Sequence, residues 1–234
     1  MIIEYNKNIG ETMTQVINRF RSEYNIDSNI KVAFAGRLDP LAQGSIILLT
    51  DNDIYKKDNY CKRNKIYECM IVEGITTDTF DIMGLIQKTN LEFNNMYKDT
   101  NNLDIKMIYP PYSSSTVIDI DNKKRQSWYC MKNNIQIKTD MLPTKDIHLY
   151  YAKKLEEYTI TNNDLYNIIE NRINKVSKET FRQKEILEEW SKIILEKITI
   201  SKWLFKVSFG GYIRYFANEM KGCAYDITRL EYSD

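Results

Sequence analysis

Between residues 162 and 198 the apolar side chains fall on one face at helical spacing. Leu165, Ile168, Ile169, Ile173 and Val176 follow Thr161, a residue suited to cap a helix N-terminus. Ile186, Leu187, Trp190, Ile193 and Ile194 repeat the spacing, so the stretch reads as a helical hairpin with charge on its outer faces. Around it the chain is punctuated differently. Ser45–Thr50 is a short apolar run of strand length, Lys65–Val72 alternates in part, and Asp146–Tyr151 is a third strand candidate. Gly74–Gly84 is rich in turn residues, and Pro110-Pro111 blocks a helix in the middle of the chain. After the hairpin come a strand at Trp203–Ser208, a tight turn at Gly210-Gly211 and a helix at Tyr212–Met220, with Gly222 placed to end it in the left-handed conformation. Two helices side by side, with no regular alternation of strand and helix elsewhere, disfavour a doubly wound sheet. They favour a mixed sheet with helices packed on it, an α+β chain.

Composition excludes several classes of function. The 234 residues are 43% hydrophobic and 28% charged, enough apolar content to build a core. With 33 Lys and Arg against 32 Asp and Glu, net charge +1, the chain is no polycation held to nucleic acid by bulk charge, although local patches can still act. Cys61, Cys69, Cys130 and Cys223 form no CxxC pair and His148 is the one histidine, so zinc sites and a disulfide framework are poor readings. Reduced thiols suit an intracellular protein. No apolar run is long enough to span a membrane, and the opening MIIEYNKNIGET lacks the apolar core of a signal peptide.

Four segments carry candidate chemistry. Gly36-Arg37-Leu38-Asp39-Pro40-Leu41-Ala42-Gln43-Gly44 places an aspartate before a proline, which favours extended backbone, between flanking glycines. Such a loop can aim one carboxylate, or it can be a plain Asp-Pro turn. Lys65-Ile66-Tyr67 puts a tyrosine on a strand, as core or as site. Thr77–Gly84 is a turn of side chains able to bond their own backbone. Gly210-Gly211-Tyr212-Ile213-Arg214 enters a helix, with Arg214 either functional or solvated.

Taken in order, these segments resemble the TruB family of tRNA pseudouridine synthases. The family's G-T/S-L-D-P-L-A-x-G loop is matched by Gly36–Gly44 except at Arg37, its K-x-Y by Lys65-Ile66-Tyr67, and its T-D-T-x-D-x-x-G by Thr77–Gly84. P-P-x-Y-S-A is matched in part by Pro110–Ser115, and G-T-Y-I-R by Gly210–Arg214. Arg37 also gives the loop a likeness to the GRLD loop of the RsuA and RluA classes, but the Thr77–Gly84 and Gly210–Arg214 elements favour TruB. Phe34 stands where such families usually carry histidine, Phe209-Gly210 replaces Lys-Gly, and the 162–198 hairpin has no counterpart in the pattern.

The resemblance implies a pseudouridine synthase fold, a mixed and largely antiparallel sheet with packed helices. It implies a single catalytic domain over residues 1–234 with the hairpin inserted and no C-terminal PUA domain. It implies RNA as partner, tRNA above all, conversion of a T-loop-like uridine by base flipping, no cofactor, and an intracellular monomer. Asp39 would be the essential carboxylate, which must be ionised to act. Arg214 would oppose its desolvation and fix its direction. Tyr67 would stack on the flipped base, Asp81 and Tyr212 would shape the pocket, and Phe34 would fill the place of a base in the RNA loop or pack on one. Phosphate contacts are sought at Lys123-Lys124-Arg125 beside Trp128 and Tyr129, and at Lys62, Arg63, Lys65, Lys153 and Lys154. The hairpin is either a brace or an RNA grip through Arg172, Lys175, Lys178, Arg182 and Lys184, with Glu170, Glu179 and Glu185 mixed among them. The alternative to an enzyme is an RNA-binding or RNA-folding protein of the same fold with little activity.

Overall fold

The computed structural model describes residues 1–176 and 181–234. Its strands are β1 (Ile2–Lys7), β2 (Val32–Ala35), β3 (Ala42–Thr50), β4 (Asn64–Glu73), β5 (Thr76–Thr77), β6 (Ile86–Lys88), β7 (Thr100–Ile108), β8 (Thr116–Ile118), β9 (Lys124–Gln126), β10 (Thr144–Ile160), β11 (Ile198–Val207) and β12 (Gly222–Ser233). The helices are α1 (Met13–Glu23), α2 (Lys57–Cys61), α3 (Ser127–Lys132), α4 (Asn162–Ile173), α5 (Gln183–Trp190) and α6 (Ile213–Glu219). One sheet runs β1-β3-β12-β4-β11-β10-β7. Every neighbouring pair in it is antiparallel except β3 with β12, the mixed and largely antiparallel α+β arrangement expected.

Side-chain alternation divides the core between the two faces of this sheet. On β4 the odd positions Tyr67, Cys69 and Ile71 join Trp203, Phe205 and Val207 of β11 in packing against Val16 and Phe20 of α1 and Phe216 of α6. The even positions Met70 and Val72, with Ile198 and Ile200, meet Leu165, Ile169 and Ile173 of α4 and Ile186 and Trp190 of α5. The hairpin thus closes the second face of the sheet.

Thr161 caps α4 as its sequence suggests, in a reciprocal pair with Asp164. The second helix is shorter than its periodicity implied. It ends at Trp190, Ile193 and Ile194 lie beyond it, and Ile194 is exposed. Asn162 exchanges two hydrogen bonds with the main chain of Leu195 and pins that segment as it leads into β11. Gly222 does not end α6 in the left-handed region; Lys221 does, at φ 63°. Gly222 opens β12, where a Cβ would lie 2.5 Å from Ile71 Cγ2 and 2.8 Å from the Val72 carbonyl. Close strand approach, not a helix stop, is its reason.

Two of the hairpin's arginines face inward. Arg172 pairs with Asp226 at 2.6 Å and Arg182 with Asp78 at 2.8 Å, both turned into the protein. Lys175 and Lys184 are exposed, and Lys178 and Glu179 lie outside the described residues. Arg172 and Arg182 are therefore committed to the fold, as a brace requires, while Lys175 and Lys184 remain on the surface.

Candidate active site

Strands β4 and β10 begin, and β11 ends, beside one cavity of about 590 Å³. The 36–42 loop, Tyr109, Ser114–Thr116, Pro143–Lys145 and Phe209–Arg214 contribute to its walls.

The loop bearing Asp39 is clamped from below. Gly36 (φ 76°) and Gly44 (φ 104°) occupy backbone conformations that favour glycine. The Ala42 amide donates to the Asp39 carbonyl at 3.0 Å and the Gly10 amide to the Pro40 carbonyl at 2.8 Å. Lys7, fully buried at the inner end of β1, donates to the carbonyls of Asn8, Pro40 and Ala42 at 3.1, 3.0 and 2.6 Å. Burial pushes its ammonium down to about 8, against the raising influence of Asp39 and Glu11. Buried Arg229 of β12 fills a gap in the sheet. β12 and β2 pair with different ends of β3, and Arg229 donates from Nε to the Ser45 carbonyl between them and from Nη2 to the Gly36 carbonyl.

Asp39 faces Arg214, the buried second residue of α6. Arg214 Nε lies 2.9 Å from Asp39 Oδ2 and 3.5 Å from Asp81 Oδ2. Arg214 Nη1 donates to the Thr79 carbonyl at 2.7 Å, and both Nη atoms reach the Tyr112 carbonyl at 3.4 Å. Burial works against the guanidinium, but Asp39 and Asp81 more than offset it, so its pKa is raised and it stays charged. Asp81 accepts from the Thr79 hydroxyl at 2.6 Å and the Met83 amide at 2.9 Å. Burial nevertheless pushes its carboxyl up to about 6, with Arg214 and Thr79 opposing and Asp39 adding to the rise.

Tyr67, buried on β4, presents its ring to the cavity and accepts from Arg229 Nη1 at 3.4 Å. Tyr212 lines the cavity too, hydrogen-bonded to Ser114 at 3.0 Å, with its ring 5.3 Å from that of Tyr109. Ser127 holds the Pro111–Ser113 segment by donating to the Pro111 carbonyl and accepting from the Ser113 amide. Around the opening stand Arg37 and Lys145, whereas Lys65, expected as a phosphate contact, lies in the wall and is not free to meet a phosphate. Lys65 is buried, donates to the carbonyls of Cys61 and Arg63, and is pushed down to about 8 by burial and by Arg229. Lys145 sets its ammonium 3.7 Å from the centre of the Phe209 ring.

The structure therefore brings Asp39, Tyr67, Tyr212 and Arg214 to one cavity, with Asp81 behind the ion pair. It does not bring Phe34 there. That ring is half-buried on β2, packed on the core and flanked by Lys57 and Arg37. Lys123, Lys124 and Arg125 lie on the β8–β9 hairpin, outside the cavity lining, and Arg125 is held by Asp119 at 2.5 Å. Arg63 pairs with Asp234, and Lys154 with Glu73 and Glu157. Sequence reasoning missed Lys7, Arg229 and Lys145. For Lys7 the signal was its inward register with Tyr5 on β1, and for Arg229 the same parity as Tyr225 and Ile227. Among the described residues no group of three His, Cys, Asp or Glu is placed to hold a metal.

A chain from an H/ACA RNP bound to a substrate RNA containing 2'-deoxyuridine shares this fold at TM-score 0.50 and 11% identity, over 99% of the present chain and 47% of that one. A chain from a Cbf5-Nop10-Gar1 complex does so at TM-score 0.50 and 13% identity, over 99% and 48%. These likenesses show a shared fold, and the family match gives its class, that of the pseudouridylate synthases. The model for the TruB family pseudouridylate synthase N-terminal domain matches residues 21–139, and this chain belongs to that family. It is similar to tRNA pseudouridine synthase B of Mycoplasma mycoides subsp. mycoides, 33% identical over 57% of this chain and 46% of the relative. It is also similar to that of Clostridioides difficile, 31% identical over 65% and 51%. The chain spans about half the length of these curated relatives. Among the described residues, no helix is long and apolar enough to cross a membrane.

Proposed function

We propose that this chain isomerises a uridine in RNA to pseudouridine, with a T-loop-like site in tRNA as substrate. The observation that carries this is the contact of Asp39 with Arg214, 2.9 Å, at a cavity walled by Tyr67 and rimmed by Arg37 and Lys145. The reaction breaks the N1–C1′ bond of uridine, joins C5 to C1′, and moves the C5 proton to N1. A paired or stacked uridine cannot reach Asp39, so it is extruded into the cavity at a cost of a few kcal/mol. Tyr67 stacks on the extruded base, and Tyr212, hydrogen-bonded to Ser114, bounds the same cavity. Arg214 holds the Asp39 carboxylate in a fixed direction, so little reorganisation accompanies attack on the sugar or removal of its proton. The rim cations meet the flanking phosphates. The same relatives support tRNA as the substrate class, since the proteins this chain resembles are tRNA pseudouridine synthases B.

The test is release of tritium from a tRNA transcript carrying 5-tritiated uridine, since formation of the C5 glycosidic bond expels the C5 hydrogen. The wild-type protein is expected to release it, and Asp39→Asn to bind the transcript with similar affinity and release none. Tight binding without release by the wild type would favour an RNA-binding or RNA-folding role. Normal release by Asp39→Asn would sink the assignment of Asp39.

A further inference from the structure

The α4–α5 hairpin reaches the back of the Asp39–Arg214 pair through one arginine. Arg182 immediately precedes α5, its side chain only 8% exposed. Its Nη2 donates to Asp78 Oδ2 at 2.8 Å, and its guanidinium carbon lies 5.1 Å from the centre of the Tyr112 ring. These two partners belong to the two segments that hold Arg214. Asp78 adjoins Thr79, whose carbonyl accepts from Arg214 Nη1, and Tyr112 supplies the other carbonyl. Asp78 also ties its own turn, accepting from the Leu85 amide at 2.8 Å. The same hairpin grips that turn again where Glu189 accepts from the Ile86 amide at 2.7 Å. Phe181, next to Arg182, closes a small cavity of about 40 Å³ against Thr79, Asp81, Tyr112 and Arg214.

We propose that Arg182 is a positioning residue for the reaction: by binding Asp78 and covering the Tyr112 ring it fixes the spacing of the Thr79 and Tyr112 carbonyls, and so the direction in which Arg214 presents itself to Asp39. Arg182 does not line the cavity and touches no reacting atom, so its effect passes through Arg214. A buried arginine bridging a carboxylate and an aromatic face is well suited to this, because its planar group makes both contacts at once. Two segments far apart in sequence are thereby held by a third, the α4–α5 hairpin. The inference rests on the proposed isomerisation.

The test compares Arg182→Met, Arg182→Lys and Tyr112→Leu with the wild type in single-turnover and steady-state tritium release. Thermal unfolding and the hydrogen-exchange rate of the Arg214 Nε–H, read by NMR on arginine-labelled protein, are measured alongside. Loss of alignment by a fraction of an ångström to 1 Å predicts a fall in kcat of about 10- to 100-fold for Arg182→Met, with KM within about twofold. Arg182→Lys, which keeps a cation near Asp78 but lacks the planar group that also covers Tyr112, should recover only part of the loss. Tyr112→Leu, which keeps the main-chain carbonyl, should fall between them. Exchange of the Arg214 Nε–H should quicken in the order of the kcat losses. Unchanged kcat in folded Arg182→Met would overturn the proposal, as would a raised KM with kcat intact, which would make Arg182 an RNA contact. Should Arg182→Met not fold, Tyr112→Leu decides by the same measures. A wild type that releases no tritium would remove the proposed function, while the exchange measurement would still report whether Arg182 holds Arg214.

Discussion

Arg214 spends each of its nitrogens differently: Nε faces two carboxylates, while Nη1 and Nη2 reach main-chain carbonyls of separate segments. A lysine has one ammonium and no fork, and cannot satisfy Asp39, Thr79 and Tyr112 together. Arg214→Lys is expected to lower kcat by about 100-fold with little change in RNA affinity, measured by single-turnover tritium release and by filter binding. Asp81 is the other half of the arrangement. Its carboxyl, raised from 3.8 to about 6 chiefly by burial, binds a proton in the folded state where the unfolded chain has already lost it. At this one site the native state therefore holds the proton between about pH 4 and 6, and the site's own contribution to stability falls as pH rises through that window. The contribution is fully present below about pH 4 and lost above about pH 6, and a shift of this size corresponds to roughly 3 kcal/mol. Asp81→Asn cannot titrate. The wild type should thus lose stability relative to Asp81→Asn on going from about pH 4.5 to about pH 7.5, as read by urea unfolding at both values. A difference between the two proteins that does not change with pH would show that Asp81 keeps its ordinary pKa.

The strand–loop element from Gly36 to Gly44 was legible as a pair of glycines around an Asp-Pro, but its cause was not. At Gly44, φ is 104° and a Cβ would lie 2.1 Å from the carbonyl oxygen of Arg229, a residue of the last strand. Backbone, unlike a flexible side chain, cannot step aside. Gly44→Ala should therefore cost more than about 2 kcal/mol and spoil the β3–β12 seam on which the Asp39 loop is mounted, seen as a lowered urea midpoint together with lost activity. The same division between local and distant causes runs through the other elements. The hairpin was readable because helical period and the Thr161 cap are local signals. Its second helix was drawn too long because the bonds from Asn162 to Leu195 join residues 33 apart in sequence. Gly222 resembled a helix stop, since its neighbours Ile71 and Val72 on β4 are invisible from its own segment. Arg172 and Arg182 looked free for RNA for the same reason: Asp226 and Asp78 are supplied by other elements. Asp39, Tyr67 and Arg214 could be brought together from sequence only through the ordered family motifs. Nothing in their spacing places a side chain of α6 beside the 36–44 loop.

Across the whole molecule, a net charge of +1 conceals an uneven arrangement. Arg37, Lys65, Lys145, Arg214 and Arg229 line the cavity with Asp39 as its one acidic lining residue, while many other cations are already paired elsewhere. A cleft with an excess of positive charge concentrates a polyanion there even when the surface as a whole is balanced. Two of those cations, Arg37 and Lys145, form no ion pair with a carboxylate among the described residues, and Arg37 is exposed at the opening. The β8–β9 hairpin offers a second, smaller patch. Lys123 and Lys124 are exposed there beside the half-exposed Trp128, whereas Arg125 is occupied by Asp119 and the Tyr129 ring. Each phosphate contact to unpaired RNA contributes roughly 0.7 to the slope of log affinity against log salt. Replacing both Arg37 and Lys145 by alanine should lower that slope by about 1.4, and replacing both Lys123 and Lys124 by about the same amount. Arg125→Ala should leave the slope nearly unchanged, because its guanidinium is committed to Asp119 before RNA arrives, and should instead loosen the turn that Asp119 closes with the Lys123 amide. Fluorescence anisotropy of a labelled tRNA transcript, titrated at several potassium chloride concentrations, measures all three. A slope that falls for Arg125→Ala and holds for the Arg37 and Lys145 pair would place the phosphates on the hairpin and not at the cavity mouth.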